Sequence, residues 1–192
     1  MVHEKISGKK GENMAELKRL KRELIHKGSI IDLYKDYVEI PNGNIAEWDF
    51  IGHKGAAAIV PVTDEGKILM VRQFRNAMDR NTLEIPAGGL NSGGQEPTIE
   101  CAARELEEET GYKSQELEFL ISIATSVAFC NEMIDIYVAK NLKPSKQNLD
   151  DDEFVDVEEY SVDELCNMIF TGIIQDSKTI SAILAYKEKY CS

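Results

Sequence analysis

The sequence predicts an α+β fold, a mixed-sheet sandwich, from three observations. Short strand-like runs separated by turn signals make up most of the chain. An acidic helical segment interrupts them near the middle, and two further helical segments close the chain. Strands and helices do not alternate in the regular βαβ order that an all-parallel sheet requires.

Residues 1–13 are polar, rich in Lys and Gly, and read as a disordered end. Over 14–27 the residues Leu17, Leu20 and Leu24 recur at helical spacing and Gly28 is a stop, which predicts a helix. Two strands follow, "SIIDLYKDYVEI" and "IAEWDFI", split by Pro41-Asn42-Gly43-Asn44, where Asn-Gly is a hairpin signal. "GAAAIVPV" and "KILMVRQF" flank Thr63-Asp64-Glu65-Gly66 and read as a second hairpin. "NTLEIPAGG" is a strand running into a glycine loop. Residues 98–110 read as a helix with Pro97 at its start and Gly111 after its end. "LEFLISIA", "MIDIYVAK" and "FVDVEEY" read as strands, the last after the polar loop "KPSKQNLDDDE". Ser161 and Glu164 form a capping box for a helix ending near Gly172, and a last helix covers 177–189.

The 192 residues fit one domain with an appended N-terminal segment, and 43% hydrophobic content is enough for a core. A net charge of −12 excludes a nonspecific nucleic-acid binder, which needs a basic surface. Such a chain can still act on phosphorylated substrates if divalent cations stand between the two negative partners. Cys101, Cys130, Cys166 and Cys191 are scattered without metal spacing and read as reduced thiols of a cytosolic protein. No run has the form of a signal peptide or the length of a membrane span.

The acidic helix holds the chemistry. Four of the five residues 105–109 are glutamate. At about 100° per residue, Ile99, Ala102, Ala103, Leu106 and Thr110 form an apolar stripe. Glu105, Glu108 and Glu109 share one sector on the opposite side, which predicts that they are exposed, and Arg104 is four residues from both Glu100 and Glu108. Converging carboxylates on a rigid helix suit a hard cation such as Mg²⁺, with Mn²⁺ as the alternative. The plainer reading is a solvated face laced with ion pairs.

"RELEEETGY" resembles the end of the Nudix box. Arg104, Glu105, Leu106, Glu108, Glu109, Gly111 and Tyr112 all fit it, and Glu96 stands seven residues before Arg104 as the pattern requires. The stretch from Gly88 or Gly89 to Glu96 is one or two residues longer than the pattern. The resemblance implies a Nudix-type α/β/α sandwich with a mixed β-sheet. Over residues 28–190 the chain is similar to the ADP-ribose pyrophosphatase branch, in "LMVRQFRNAMDRNTLEIPAGG", "DDDEFVDVEEYSVDEL" and "GIIQDSKTISAILAY".

That resemblance implies hydrolysis of ADP-ribose or a related nucleoside diphosphate sugar, and a homodimer whose N-terminal strands help bind the partner's substrate. It divides the chain into a dimerisation segment, 14–54, and a catalytic domain, 55–192. It implies metal ligands at Glu105, Glu108, Glu109 and the Ala87 carbonyl. Glu153, just before a strand, is implied as general base, with Glu108 or Glu109 as the alternative and Arg104 steadying the acids. Arg75, Arg72 and Arg80 are candidates for phosphate or ribose oxygens, since guanidinium forks suit phosphate. Each also reads alone as a surface charge. Trp48, the only tryptophan, reads equally as packing or as a stack for adenine. Two other readings stand beside this one: a different nucleotide substrate, or a non-catalytic ADP-ribose-binding regulator.

Overall fold

The computed structural model describes residues 17–91, 93–149 and 153–191, and the expected disorder of 1–13 lies outside them. The chain divides into two units, one ending at Gly52 and the other beginning at His53.

The first unit is an antiparallel sheet, β1 (Lys18–Lys27), β2 (Asp32–Glu39) and β3 (Ile45–Gly52), with β2 in the middle. The expected N-terminal helix is therefore corrected to a strand over its described residues. Helical leucine spacing yields here to cross-strand pairing, the usual way tertiary contact overrides propensity. Leu24 pairs with Tyr34 and Arg22 with Asp36. Arg22 forks onto Asp36 through two 2.6 Å hydrogen bonds and lies 3.5 Å above the Phe50 ring. Such a bidentate contact is stronger than an ordinary hydrogen bond and specifies register. The β2–β3 turn is the predicted one, with Gly43 at a φ of 81° that its lack of Cβ permits.

The second unit holds β4 (Ala56–Pro61), β5 (Ile68–Arg75), a 3₁₀ turn (Asn76–Met78), β6 (Arg80–Glu84), β7 (Ala87–Gly89), α1 (Thr98–Thr110), β8 (Tyr112–Lys113), β9 (Glu116–Ala124), β10 (Met133–Lys140), β11 (Lys143–Pro144), β12 (Val155–Tyr160), α2 (Val162–Phe170) and α3 (Ser177–Tyr190). One sheet runs β7-β4-β10-β9 and is mixed, because β4 and β10 are parallel. A second runs β12-β5-β6, and β8 pairs with β11.

The second expected hairpin is corrected. The turn after β4 is present, but β4 and β5 join different sheets and share only the bridge Val62↔Ile68. Every residue of β4 is buried, so it takes the middle of its sheet, between β7 and β10. Its alternating side chains feed two cores. Ala57 and Ile59 pack with Cys101, Ala102 and Leu106 of α1. Ala58 and Val60 face the other way, into a core shared with Leu165 of α2 and Ala182 and Ile183 of α3. The result is an α/β/α sandwich. The predicted capping box at Ser161 and Glu164 is formed, and Asp176 caps α3 through the Thr179 N–H. Among the described residues no helix is long and apolar enough to cross a membrane.

Candidate active site

The site is built where β7 crosses α1. The helix starts after Pro97 and ends at Gly111, whose φ of 73° closes it in the left-handed conformation that glycine adopts without strain. Its buried residues are Cys101, Ala102, Glu105, Leu106, Glu109 and Thr110, whereas Ile99 is exposed. The expected apolar stripe is thus rotated toward the acids, and the exposure expected of Glu105 and Glu109 is corrected to burial. Only Glu108 stays partly exposed. The cause is the glycine loop, which lies over that side of the helix. The Ala87 N–H donates to Glu109 Oε2 at 3.0 Å. A Cβ at Gly88 would collide with the Glu105 carboxylate, so glycine is what lets the strand approach.

Arg104 ties the acids together. Its Nη1 donates to Glu105 at 2.6 Å and to Glu108 at 2.7 Å, and its Nε and Nη2 reach Glu96 at 3.2 Å each. Arg104 Nη2 also donates to the Gly89 carbonyl at 3.1 Å, so one side chain ties loop to helix. Of the two partners expected for it, Arg104 takes Glu108 and not Glu100. Glu96 joins the cluster instead, and its carboxyl is held below the usual range by the bonds from Arg104.

Burial pushes the Glu105 carboxyl up to about 7 against the opposing charge of Arg104. Burial likewise pushes Glu109 up to about 8, with the Glu105 charge adding to it and the Ala87 N–H opposing. Both acids are therefore desolvated and mutually repelling. The charge of Glu153 raises both of them further. Residues 150–152, the rest of the acidic run, lie outside the described residues. Among the described residues no three His, Cys, Asp or Glu side chains stand together as a preformed cation cage.

The Nudix domain profile matches residues 52–182 of this chain. The chain belongs to the Nudix family. A Nudix-fold solved structure, of an ADP compounds hydrolase, overlays with a TM-score of 0.81 at 19% identity, covering 93% of this chain and 96% of that one, a likeness of fold. Among curated relatives, a methanol dehydrogenase activator of Bacillus methanolicus is 45% identical over 170 residues, 88% of this chain and 91% of its own. An ADP-ribose pyrophosphatase of Bacillus subtilis is 42% identical over the same shares. Another, from Mycobacterium tuberculosis, is 33% identical over 88% of this chain and 83% of its own.

The remaining candidates of this Nudix chain are spread more widely. Arg75 forks onto Glu84 with Nε at 2.8 Å and Nη2 at 2.6 Å. Arg72 forks onto Glu158 at 2.5 and 3.1 Å, and Arg80 donates to Gln175. Arg75 has Glu109 among the charges that raise it. Trp48 lies in β3 of the N-terminal unit, 46% exposed. Two residues of the arrangement were not read from the sequence, Glu84 and Lys178. Glu84 stands inside the "EIPAGG" stretch and was a legible acid there. Lys178 had no local signal, because only the fold brings it 94 positions back to Glu84.

Proposed function

We propose that this Nudix protein is a metal-dependent pyrophosphohydrolase that cleaves ADP-ribose to AMP and ribose 5-phosphate. One observation carries the reading: Glu105 and Glu109, one helical turn apart, are buried beside each other under a glycine loop. Two desolvated carboxylates repel, and a divalent cation relieves that repulsion, so this donor set fits Mg²⁺. Glu105, Glu108, Glu109 and the Ala87 carbonyl would hold it, with Arg104 yielding its bonds to Glu105 and Glu108. A bound cation neutralises phosphate charge and lowers the pKa of water.

The chain's own groups do the rest. Glu153 takes a proton from the attacking water, since acids engaged with a cation have no lone pair to spare. The water oxygen bonds to one phosphorus, the bridging P–O bond breaks, and the released phosphate group carries away the bond's electrons. Arg75 faces the diphosphate. The N-terminal strands pair two copies into a homodimer, with Trp48 at that surface or against the adenine. Four unpaired cysteines suit a reducing cytosol.

The branch is supported by two relatives named ADP-ribose pyrophosphatase at 42% and 33% identity. Chromatography of products tests it: Mg²⁺-dependent release of AMP and ribose 5-phosphate is expected. Faster cleavage of GDP-mannose or a nucleoside triphosphate would overturn the substrate. A second reading, action on a partner enzyme, is favoured by the relative named a methanol dehydrogenase activator. It predicts stimulation of a dehydrogenase by this chain, measured in a mixed assay.

A further inference from the structure

Lys178, the second residue of α3, is buried, and its Nζ donates to Glu84 and, at 2.9 Å, to Asp176. Glu84 is itself only 3% exposed. A carboxylate offers about four lone-pair sites, and those of Glu84 are all filled. Its Oε1 accepts from Arg75 Nε and from Thr82 Oγ1 at 2.6 Å, and its Oε2 accepts from Arg75 Nη2 and Lys178 Nζ. The same end of α3 holds the next residue too, because the Ile85 N–H donates to Thr179 Oγ1 at 3.0 Å.

This network is closed at its buried end and open at one place. The Arg75 side chain is 40% exposed, and among the described residues its Nη1 makes no hydrogen bond. Arg75 and Glu109 each respond to the other's charge, so the fork lies within electrostatic reach of the acids of α1. A buried ion-pair cluster adds little stability over apolar packing of the same volume. What it does add is direction, since a fork held through two nitrogens cannot turn.

We infer that Lys178 is a positioning residue: it holds Glu84 from behind and, through Glu84, fixes the Arg75 guanidinium in the pose that takes a substrate phosphate. This rests on the pyrophosphohydrolase reading and on the place of Arg75 in it. Without Lys178 the group of Arg75, Glu84 and Asp176 carries a net negative charge. The two carboxylates then draw the guanidinium inward, away from the substrate.

The test is a double-mutant cycle with ADP-ribose and Mg²⁺. Arg75→Ala should raise KM, and Lys178→Met should raise KM by about tenfold, the loss of one well-placed phosphate contact. In Lys178→Met kcat should stay within about threefold, because the water and its base are untouched. The double variant should have the KM of Arg75→Ala alone, since Lys178 has nothing left to act through. Lys178→Gln, close in size and still a donor, carries the same cycle if the methionine variant does not fold. An unchanged KM in both Lys178 variants, beside a raised KM in Arg75→Ala, overturns the inference and leaves the hydrolase reading intact. Multiplying effects in the double variant overturn it as well. An unaltered KM in Arg75→Ala removes Arg75 from the substrate site, and the inference with it. No AMP release by the unaltered protein overturns the reading and the inference together.

Discussion

Glu109 and Glu84 are both buried glutamates, and their surroundings drive them in opposite directions. Glu109 has one backbone N–H for a partner and a like charge beside it, so burial dominates and its carboxyl rises to about 8. For Glu84 burial also raises the pKa, but the Arg75 fork and the Lys178 charge outweigh it and bring the value to about 2. The consequences differ accordingly. Glu108→Gln and Glu109→Gln should each leave the fold nearly as stable, since glutamine keeps the shape of the side chain, Glu108 is partly exposed, and Glu109 gives up a buried carboxyl that already disfavours its charged form. Activity should fall by about 10²–10³-fold as transition-state charge loses its support. Near-normal turnover by both variants at saturating Mg²⁺ would rule out this site. Glu84 makes a pH prediction. Its folded value lies below the ordinary 4.5, so its contribution is fully present above that pH and is lost as pH falls toward 2. A shift of this size corresponds to about 3 kcal/mol. Glu84→Gln should therefore unfold more readily at pH 7, and the gap to the unaltered protein should close between pH 4.5 and 2 in denaturant titrations.

At the scale of elements, the end of α1 anchors the segment that follows β11. The Ser145 N–H donates to the Gly111 carbonyl at 2.7 Å, Gln147 Nε2 to the Glu109 carbonyl at 2.7 Å, and the Asn148 N–H to the Glu108 carbonyl at 3.0 Å. The chain thus covers the carbonyls that a helix end leaves unpaired. A Cβ at Gly111 would sit 3.1 Å from Gln147 N, so the glycine that closes the helix also admits this segment. The loop then starts at the C-terminus of the acidic helix and ends at β12, with Glu153 just before that strand. Glu153→Gln should lower kcat by about 10²-fold, the usual worth of a general base, while metal affinity and KM change little. Full kcat in that variant would move the base to Glu108 or Glu109.

At the scale of the whole molecule, the N-terminal unit leaves large apolar side chains exposed. Leu20, Leu24, Ile25, Ile45 and Trp48 are all exposed on its strands. Exposed apolar residues of this kind mark an interaction surface, and a second copy paired about a two-fold axis is the simplest occupant. Light scattering at micromolar concentration should return twice the chain mass of 21.6 kDa. A monomer mass would contradict the pairing.

Local signals sufficed for much of this protein. The box residues 104–112, the limits of α1, the Asn-Gly turn and the Ser161 capping box are contacts between near neighbours, and periodicity or spacing reports them directly. The leucine spacing before Gly28 misled because strand or helix there depends on β2, a partner that periodicity does not see. The pairing of β4 with β10 and the burial of Glu105 and Glu109 are likewise long-range. Helical phase placed those acids on the solvent side, and only the glycine loop lying across them made that side an interior. Lys178 is the extreme case: its role depends on Glu84, 94 positions away, and a contact at that distance exists only once the chain has folded.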